Sequence, residues 1–177
     1  AETIGDEMQT SSGAAESVTA PAPRPDADQL RFPYLIESVR LTSGDGRDVE
    51  EIATGDDIVL SMKYRALTGS PPERISFVFN LYRHDGFYVC GTTTLMDGMS
   101  PHPGTASGQV TVRFPSFPLL SGRYKWRVAI NDHGGFSVLA EAKDVCMFSV
   151  TDNFNAVGIV DLRREWRVEP VAVSEAT

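Results

Sequence analysis

The sequence has little of what a membrane-spanning or disulfide-stapled protein needs. Its apolar runs are only a few residues long, far below the ~20 consecutive apolar residues that span a bilayer. It contains two cysteines, Cys90 and Cys146, and two cysteines in a chain able to build an ordinary core are more typical of buried thiols than of a disulfide framework. These features predict a soluble domain and favour a reducing compartment, although they leave open whether the two cysteines pair.

Positive charge is also scarce. The chain has 16 Lys and Arg against 24 Asp and Glu, a formal net charge of −8. A negative long-range field repels phosphate backbones, so nucleic acid is excluded as an expected partner. Hydrophobic residues make up 41% of the 177 residues, which is ordinary usage for a soluble fold, and this length predicts about one domain.

Motifs for nucleotide hydrolysis and for serine hydrolysis are missing. A phosphate-binding loop ends in Gly-Lys-Ser/Thr, and the sequence has no Gly-Lys pair. A nucleophile elbow requires Gly-x-Ser-x-Gly before a helix, whereas Gly104–Gly108 reads GTASG, with the serine at the wrong position. The chain is therefore predicted not to be an enzyme by itself.

Histidines and paired carboxylates are the residue types that could serve as metal ligands or catalytic groups. The three histidines, His84, His102 and His133, lie among turn residues with no His-x-His or Cys-x-x-Cys companion. The pairs Glu50–Glu51 and Asp56–Asp57 could serve a glycosidase, but neighbouring carboxylates at a turn are more typical of solvent-facing caps. The sequence thus predicts no metal site and no cofactor.

The first 30 residues differ in composition from the rest. Residues 9–29 contain almost no large apolar side chain, and three prolines are spaced two apart, which is typical of a semi-extended linker. We expect residues 1–30 to be a flexible linker carrying the tail of a missing preceding domain. Residues 31–170 are expected to form the folded domain and residues 171–177 a disordered tail.

After Leu30 the sequence alternates between apolar and polar residues with a period of two, the pattern of strands with one buried face. The clearest examples are Ile58–Arg65, Ile75–His84 and Tyr124–Asn131. Weaker strands are predicted at six further segments: Tyr34–Leu41, Phe87–Thr94, Gln109–Phe114, Phe136–Ala142, Val145–Thr151 and Gly158–Val168. Glycine- and aspartate-rich turns separate them, so the expected fold class is all-β, with about eight or nine short strands in a sandwich or barrel.

Several motifs, in this order, resemble one known family: the carboxy-terminal domain of the Wzt-type ATP-binding subunit of bacterial O-antigen polysaccharide ABC transporters. The resemblance covers about residues 34 to 166. The segments that carry it are Ile36–Val39, Ala53–Leu60, Lys63–Arg65, Phe77–Gly86, Val89–Thr94, Pro118–Tyr124 and Gly158–Trp166. The insertion Asp97–Gly108 is particular to this chain.

This resemblance implies an immunoglobulin-like antiparallel β-sandwich that binds the exported polysaccharide and catalyses nothing. It also implies a homodimer, with possible exchange of the Gly158–Val168 strand between protomers, and a location in the cytoplasm, peripheral to the inner membrane. The further partners would be the nucleotide-binding domain, which would make the full-length protein an ATPase, and the membrane subunit of the transporter. An alternative function is a structural or protein-interaction sandwich that mediates dimerisation or docking.

The candidate carbohydrate site is the polar side of three predicted strands: Ile75–His84, the strand that follows its hairpin, and Tyr124–Asn131 as the expected sheet neighbour. Sugars offer apolar C–H faces and many hydroxyls, so their sites need exposed aromatic rings beside planar polar side chains. The candidate residues are Asn80, Tyr82, His84, Tyr88, Arg127 and Asn131. The competing interpretation is an ordinary solvated face, because aromatic residues favour strands for other reasons. Trp126 alternates with Tyr124 and Val128 and is predicted to lie in the core.

Overall fold

The computed structural model describes residues 31–154 and 156–168. The predicted linker, residues 1–30, and the predicted tail, residues 171–177, lie outside the described residues. The described part contains nine strands: β1 (Tyr34–Ser43), β2 (Glu51–Ala53), β3 (Ile58–Ala66), β4 (Arg74–Arg83), β5 (Tyr88–Thr93), β6 (His102–Pro103), β7 (Ser107–Phe114), β8 (Gly122–Asp132) and β9 (Val138–Thr151). Among these residues no helix has the length and hydropathy needed to cross a membrane.

The strands form two sheets. One sheet has three strands in the order β1-β3-β7, and the other has six, in the order β2-β9-β8-β4-β5 with β6 also paired to β4. All pairings are antiparallel except the short parallel contact between β2 and β9. The predicted all-β sandwich is confirmed.

The core lies between the inner faces of the two sheets, as the period-two pattern requires. In β3, for example, Ile58, Leu60 and Met62 are completely buried while the residues between them are partly or fully exposed. Trp126 of β8 is also buried and stacks on Phe114 of β7, with ring centroids 5.4 Å apart. This stacking joins the two sheets, and the prediction that Trp126 belongs to the core is confirmed.

Two strands predicted separately, Phe136–Ala142 and Val145–Thr151, form the single long strand β9. The polar residues between them suggested a turn. Instead, Asp144 and Cys146 adopt positive φ angles of 54° and 47°, and the pairing of β9 with β8 shifts register around Trp126. Bulges of this kind bend a strand without ending it, so β9 continues through the polar stretch.

The prediction of a strand at Gly158–Val168 is wrong for the single chain. Only an isolated bridge between Val160 and Leu119 forms there, with backbone hydrogen bonds from Leu120 N to Ile159 O at 2.9 Å and from Asp161 N to Pro118 O at 2.7 Å. Ile159 packs against the core, but Trp166 is 84% exposed. Within the described residues, no strand pairs with the later part of this segment, and its apolar side chains are exposed.

Turn chemistry explains the acidic pair at Asp56–Asp57. Asp56 accepts a hydrogen bond from the Ala53 amide at 2.8 Å, and Asp57 accepts one from the Ser116 amide at 2.8 Å. Both carboxylates therefore close turns, as the sequence indicated. Short β2, which directly precedes this turn, was not predicted because three residues are too few to show an alternation.

Neither cysteine forms a disulfide. Cys90 lies on β5 and Cys146 on β9, and both are free thiols. Burial raises the pKa of Cys146 to about 11 and also raises that of Cys90. Both side chains are therefore protonated thiols at neutral pH.

Candidate functional site

Three adjacent strands bring four of the six candidate residues together on the outer face of the six-stranded sheet. Asn80 of β4 is paired with Arg127 of β8, and Tyr82 of β4 is paired with Tyr88 of β5. Directly paired residues of antiparallel strands project from the same side of the sheet. We call this surface the aromatic face and define it by Asn80, Tyr82, Tyr88, Gly91, Lys125 and Arg127.

The centre of the aromatic face is a pair of tyrosine rings. The centroids of Tyr82 and Tyr88 lie 5.2 Å apart with 58° between the ring planes, and a register shift between Leu81 and Tyr82 accompanies this pairing. Tyr88 is 51% exposed, so much of its ring is open to solvent beside Tyr82. Partial burial, the nearby Tyr82 hydroxyl and Cys90 raise the pKa of Tyr88, against the opposing effect of Arg127. The phenol is therefore a neutral donor and acceptor beside an exposed ring.

Gly91 makes room for this arrangement. It is paired with Asn80 across the sheet, and a Cβ atom added to it would collide with Tyr88 Oη and Asn80 Oδ1. Because both side chains lie over Gly91, the tyrosine hydroxyl and the asparagine amide sit next to each other. Sequence reasoning missed Gly91, since a glycine inside a strand signals a close approach without indicating what approaches.

Arg127 is held in place by ionic contacts. Its guanidinium donates to Glu141 Oε2 from Nε at 3.0 Å and from Nη2 at 2.8 Å, and Lys143 contacts the other oxygen of Glu141 at 3.0 Å. Burial alone would raise the pKa of Glu141, but the hydrogen bonds from Lys143 and Arg127 lower it below its usual range. The carboxylate is thus ionised at neutral pH and fixes the planar guanidinium beside the tyrosines.

Lys125 has a similar contact with Asp144 at 2.6 Å. Neither Glu141 nor Asp144 was among the predicted site residues. Their sequence positions gave no signal, because the bulges of β9 decide which of its side chains meet those of β8.

The other two candidate residues lie away from the tyrosines. Asn131 donates from Nδ2 to the Gly135 carbonyl at 3.0 Å and so braces the β8–β9 turn. His84 is in the β4–β5 turn, with its amide bonded to the Arg123 carbonyl at 2.8 Å and its side chain exposed. The structure therefore separates the six candidates into four central residues and two at opposite ends.

The half of the outer face near Asn131 is covered. Ser76, Val78 and Ala129 are buried although they point away from the core between the sheets. The segment after β5 crosses here, since Leu95 Cδ1 lies 3.3 Å from the position that a Cβ atom on Gly135 would occupy. Of the surface that the described residues form on this face, the half with the tyrosines is the part open to a ligand. In the described ranges, no three His, Cys, Asp or Glu side chains cluster as metal ligands.

The sequence of residues 33–162 matches the family model described as the Wzt C-terminal domain. The crystal structure of the C-terminal domain of wzt is also similar in fold: the TM-score is 0.68 at 16% identity, over 78% of this chain and 85% of that one. At this identity the structural likeness establishes the fold alone. No curated protein matches the sequence.

Weaker structural likenesses extend to other sandwich domains. A beta-glucuronidase from glycoside hydrolase family 2 has a TM-score of 0.42 at 15% identity, over 59% of this chain and 10% of that one. A Niemann-Pick type C2 protein from the Japanese carpenter ant has a TM-score of 0.42 at 12% identity, over 65% and 90% of the two chains.

Proposed function

The chain belongs to the Wzt C-terminal domain family, and from that premise we propose that it binds an O-antigen-type polysaccharide without catalysing a reaction. The observation that carries this proposal is the aromatic face. It combines a pair of tyrosine rings, of which Tyr88 is exposed and Tyr82 partly exposed, with an amide, a guanidinium and a phenol hydroxyl on three neighbouring strands. Stacking on the rings and hydrogen bonds to the polar groups are the two interactions that a sugar chain offers.

The open shape of this surface suits a polymer. Strands β5, β4 and β8 present their side chains side by side, so a chain lying on this surface contacts several groups. The acidic groups at the edge are already engaged, Glu141 with Arg127 and Lys143, and Asp144 with Lys125. Such paired carboxylates suit a fixed binding surface better than acid–base catalysis, which needs a carboxyl free to exchange protons.

We place this domain in the substrate-recognition part of an ABC exporter, located in the cytoplasm and peripheral to the inner membrane. Its partners there would be the nucleotide-binding domain, which hydrolyses ATP in the full protein, and the membrane subunit. The family membership supports this context.

Binding can be tested with the O-polysaccharide released from the bacterium that encodes this chain. We expect saturable binding in isothermal titration calorimetry, and we expect the Tyr82→Ala, Tyr88→Ala double variant to bind at least about tenfold more weakly, since it removes both stacking surfaces. Lys63→Ala is the matched control, because Lys63 is exposed on the other sheet. Full binding by the double variant would contradict the proposed site. The absence of binding by the unmodified chain would favour the structural or docking function instead.

We also propose a homodimer in which the segment Gly158–Val168 is exchanged and pairs with the partner's sheet. Leu162 and Trp166 are exposed in the single chain, and exposed apolar groups of this size are typical of a surface that another chain covers. Light scattering of the intact chain and of a Leu162→Ser, Trp166→Ser variant tests this. A dimer that becomes monomeric in the variant, with an unchanged melting temperature of the sandwich, supports it. An intact chain that is monomeric at micromolar concentration contradicts it.

A further inference from the structure

A small pocket lies at the open end of the aromatic face. Its volume is about 350 Å³, and the side chains that characterise it are Glu50, His84, Arg123, Met147 and Ser149. They come from the β4–β5 turn, from the start of β8, from the end of β9 and from the residue before β2. Pockets for small ligands begin at roughly this size, so the space suits a single small group and not a polymer.

The pocket continues the aromatic face. His84 follows Tyr82 by two residues, and Arg123 precedes Lys125 by two residues on β8. Same-side positions along a strand are about 7 Å apart. A ligand that stacks on the tyrosines therefore reaches the pocket with its next unit, provided that it runs along the strands.

The walls of the pocket are held by contacts that need no ligand. On one side, Asp85 binds the Arg83 guanidinium at 2.6 Å and accepts the Phe87 amide at 3.1 Å, which fixes the turn that carries His84. The hydrogen bond from Arg83 lowers the pKa of Asp85 to about 2, so this contact persists at any ordinary pH.

On the other side, Ser149 donates to the Glu50 carbonyl from its amide at 2.9 Å and from its hydroxyl at 3.3 Å. This ties β9 to the segment that carries Glu50. The pocket is thus preformed, and a ligand would not have to order either wall.

The charged groups and the imidazole of the pocket are available to a ligand. Within the described part of the chain, the side chains of Arg123, His84 and Glu50 make no hydrogen bond or ion pair with one another or with other residues. The pocket therefore offers a cationic donor, an imidazole and an anionic acceptor, and Met147 adds an exposed apolar surface. Donors and acceptors around an apolar patch are what one sugar ring requires.

We propose that this pocket is a subsite for one sugar residue of the polysaccharide, whose hydroxyls bridge Arg123 and Glu50 while its C–H face lies on Met147. The proposal rests on the function proposed above, because the same glycan chain would occupy the aromatic face. The two parts of the site would then have different roles and would fix the orientation of the glycan. Stacking on the tyrosines would contribute affinity for any sugar, and the pocket would select one particular sugar residue.

The histidines allow a direct test by NMR, since the chain has only three. On titration with the O-polysaccharide of the encoding bacterium, the imidazole signals of His84 should shift, whereas those of His102 and His133 serve as internal references. In calorimetry, Arg123→Ala should bind about tenfold more weakly, because a charge-assisted hydrogen bond is lost. Lys63→Ala is again the control.

Each outcome is decisive. One result would overturn the subsite and leave the proposed function standing. In that result the polysaccharide binds and the tyrosine double variant binds it more weakly, but the His84 signals do not shift and Arg123→Ala keeps full affinity. If the unmodified chain binds no polysaccharide, both fail together. Arg123 is exposed, so its truncation should leave the melting temperature unchanged and separate a binding effect from unfolding.

Discussion

The outer faces of the two sheets have the same alternation of side chains but different surfaces. On the three-stranded sheet, Arg65 contacts Glu37 at 2.9 Å, and Arg113 contacts Asp57. In the described residues, none of the exposed large apolar side chains lies on β1, β3 or β7. On the six-stranded sheet, Tyr88 is exposed against Tyr82, and the ionic contacts surround this ring pair.

The difference distinguishes an ordinary solvated face from the face on which we propose that a sugar chain binds. Exposed ion pairs contribute about 0–1 kcal/mol to stability and keep a surface soluble, which is what the three-stranded face needs. On the six-stranded sheet, by contrast, Tyr88 lies over Gly91 with half of its surface exposed. Under the proposed function, this ring is a surface on which a sugar stacks.

The largest loss of stability should come from a change in the core, which lies between the two sheets. Trp126→Ala removes the ring that stacks on Phe114 of the opposite sheet, and we expect it to lower the free energy of unfolding by about 3–5 kcal/mol. Urea denaturation measures this value. A loss below about 1 kcal/mol would mean that the sheets do not depend on this contact.

Two strand glycines offer a matched pair, one in each sheet. A Cβ atom on Gly108 of β7 would lie 2.5 Å from Tyr64 Oη, and Tyr64 is buried in the core. Gly108→Ala should therefore destabilise the fold by about 1–3 kcal/mol through overpacking. Its affinity for the polysaccharide should remain unchanged under conditions where the variant is folded, and thermal denaturation with calorimetry measures both.

Gly91→Ala should show the opposite pattern to Gly108→Ala, with a small loss of stability and a clear loss of affinity. The added methyl group collides with Tyr88 and Asn80, but Tyr88 is exposed and can turn away, so the loss of stability should be below about 1 kcal/mol. The displaced ring should weaken polysaccharide binding about tenfold. If this variant binds normally, the arrangement of Tyr88 over Gly91 is not part of the site.

The smallest effect concerns the ionic contacts beside the tyrosines. The lowered pKa of Glu141 means that its contribution to stability is present above its usual pKa of 4.5 and is lost as the pH falls through the lower value of the folded state. Glu141→Gln should cost up to about 1 kcal/mol near neutral pH, and the difference from the unmodified chain should shrink as the pH falls. Urea denaturation at several pH values measures this difference. A difference independent of pH would show that the charge of Glu141 is not what matters.

Much of the fold could be predicted because its signals are local. The alternation in Ile58–Arg65, Ile75–His84 and Tyr124–Asn131 corresponds to β3, β4 and β8. The same rule failed at Gly158–Val168, where strand-like apolar spacing has no partner in the single chain. It also divided β9 in two, because a bulge at polar residues looks like a turn in the sequence.

Part of the candidate site could also be predicted from local signals. That Asn80 and Tyr82 share a side of β4 follows from their spacing alone. The sequence by itself therefore determined the all-β class, the main strands and the polar side that carries the tyrosines. The sequence also predicted the hairpin that joins β4 to β5 and a sheet neighbour at Tyr124–Asn131. Only the tertiary structure decided the register of these strands, that Glu141 reaches Arg127, that Asn131 braces a turn and that half of the face is covered. The physical reason is that alternation depends on adjacent residues, whereas strand order, register and bulges depend on contacts between residues far apart in the chain.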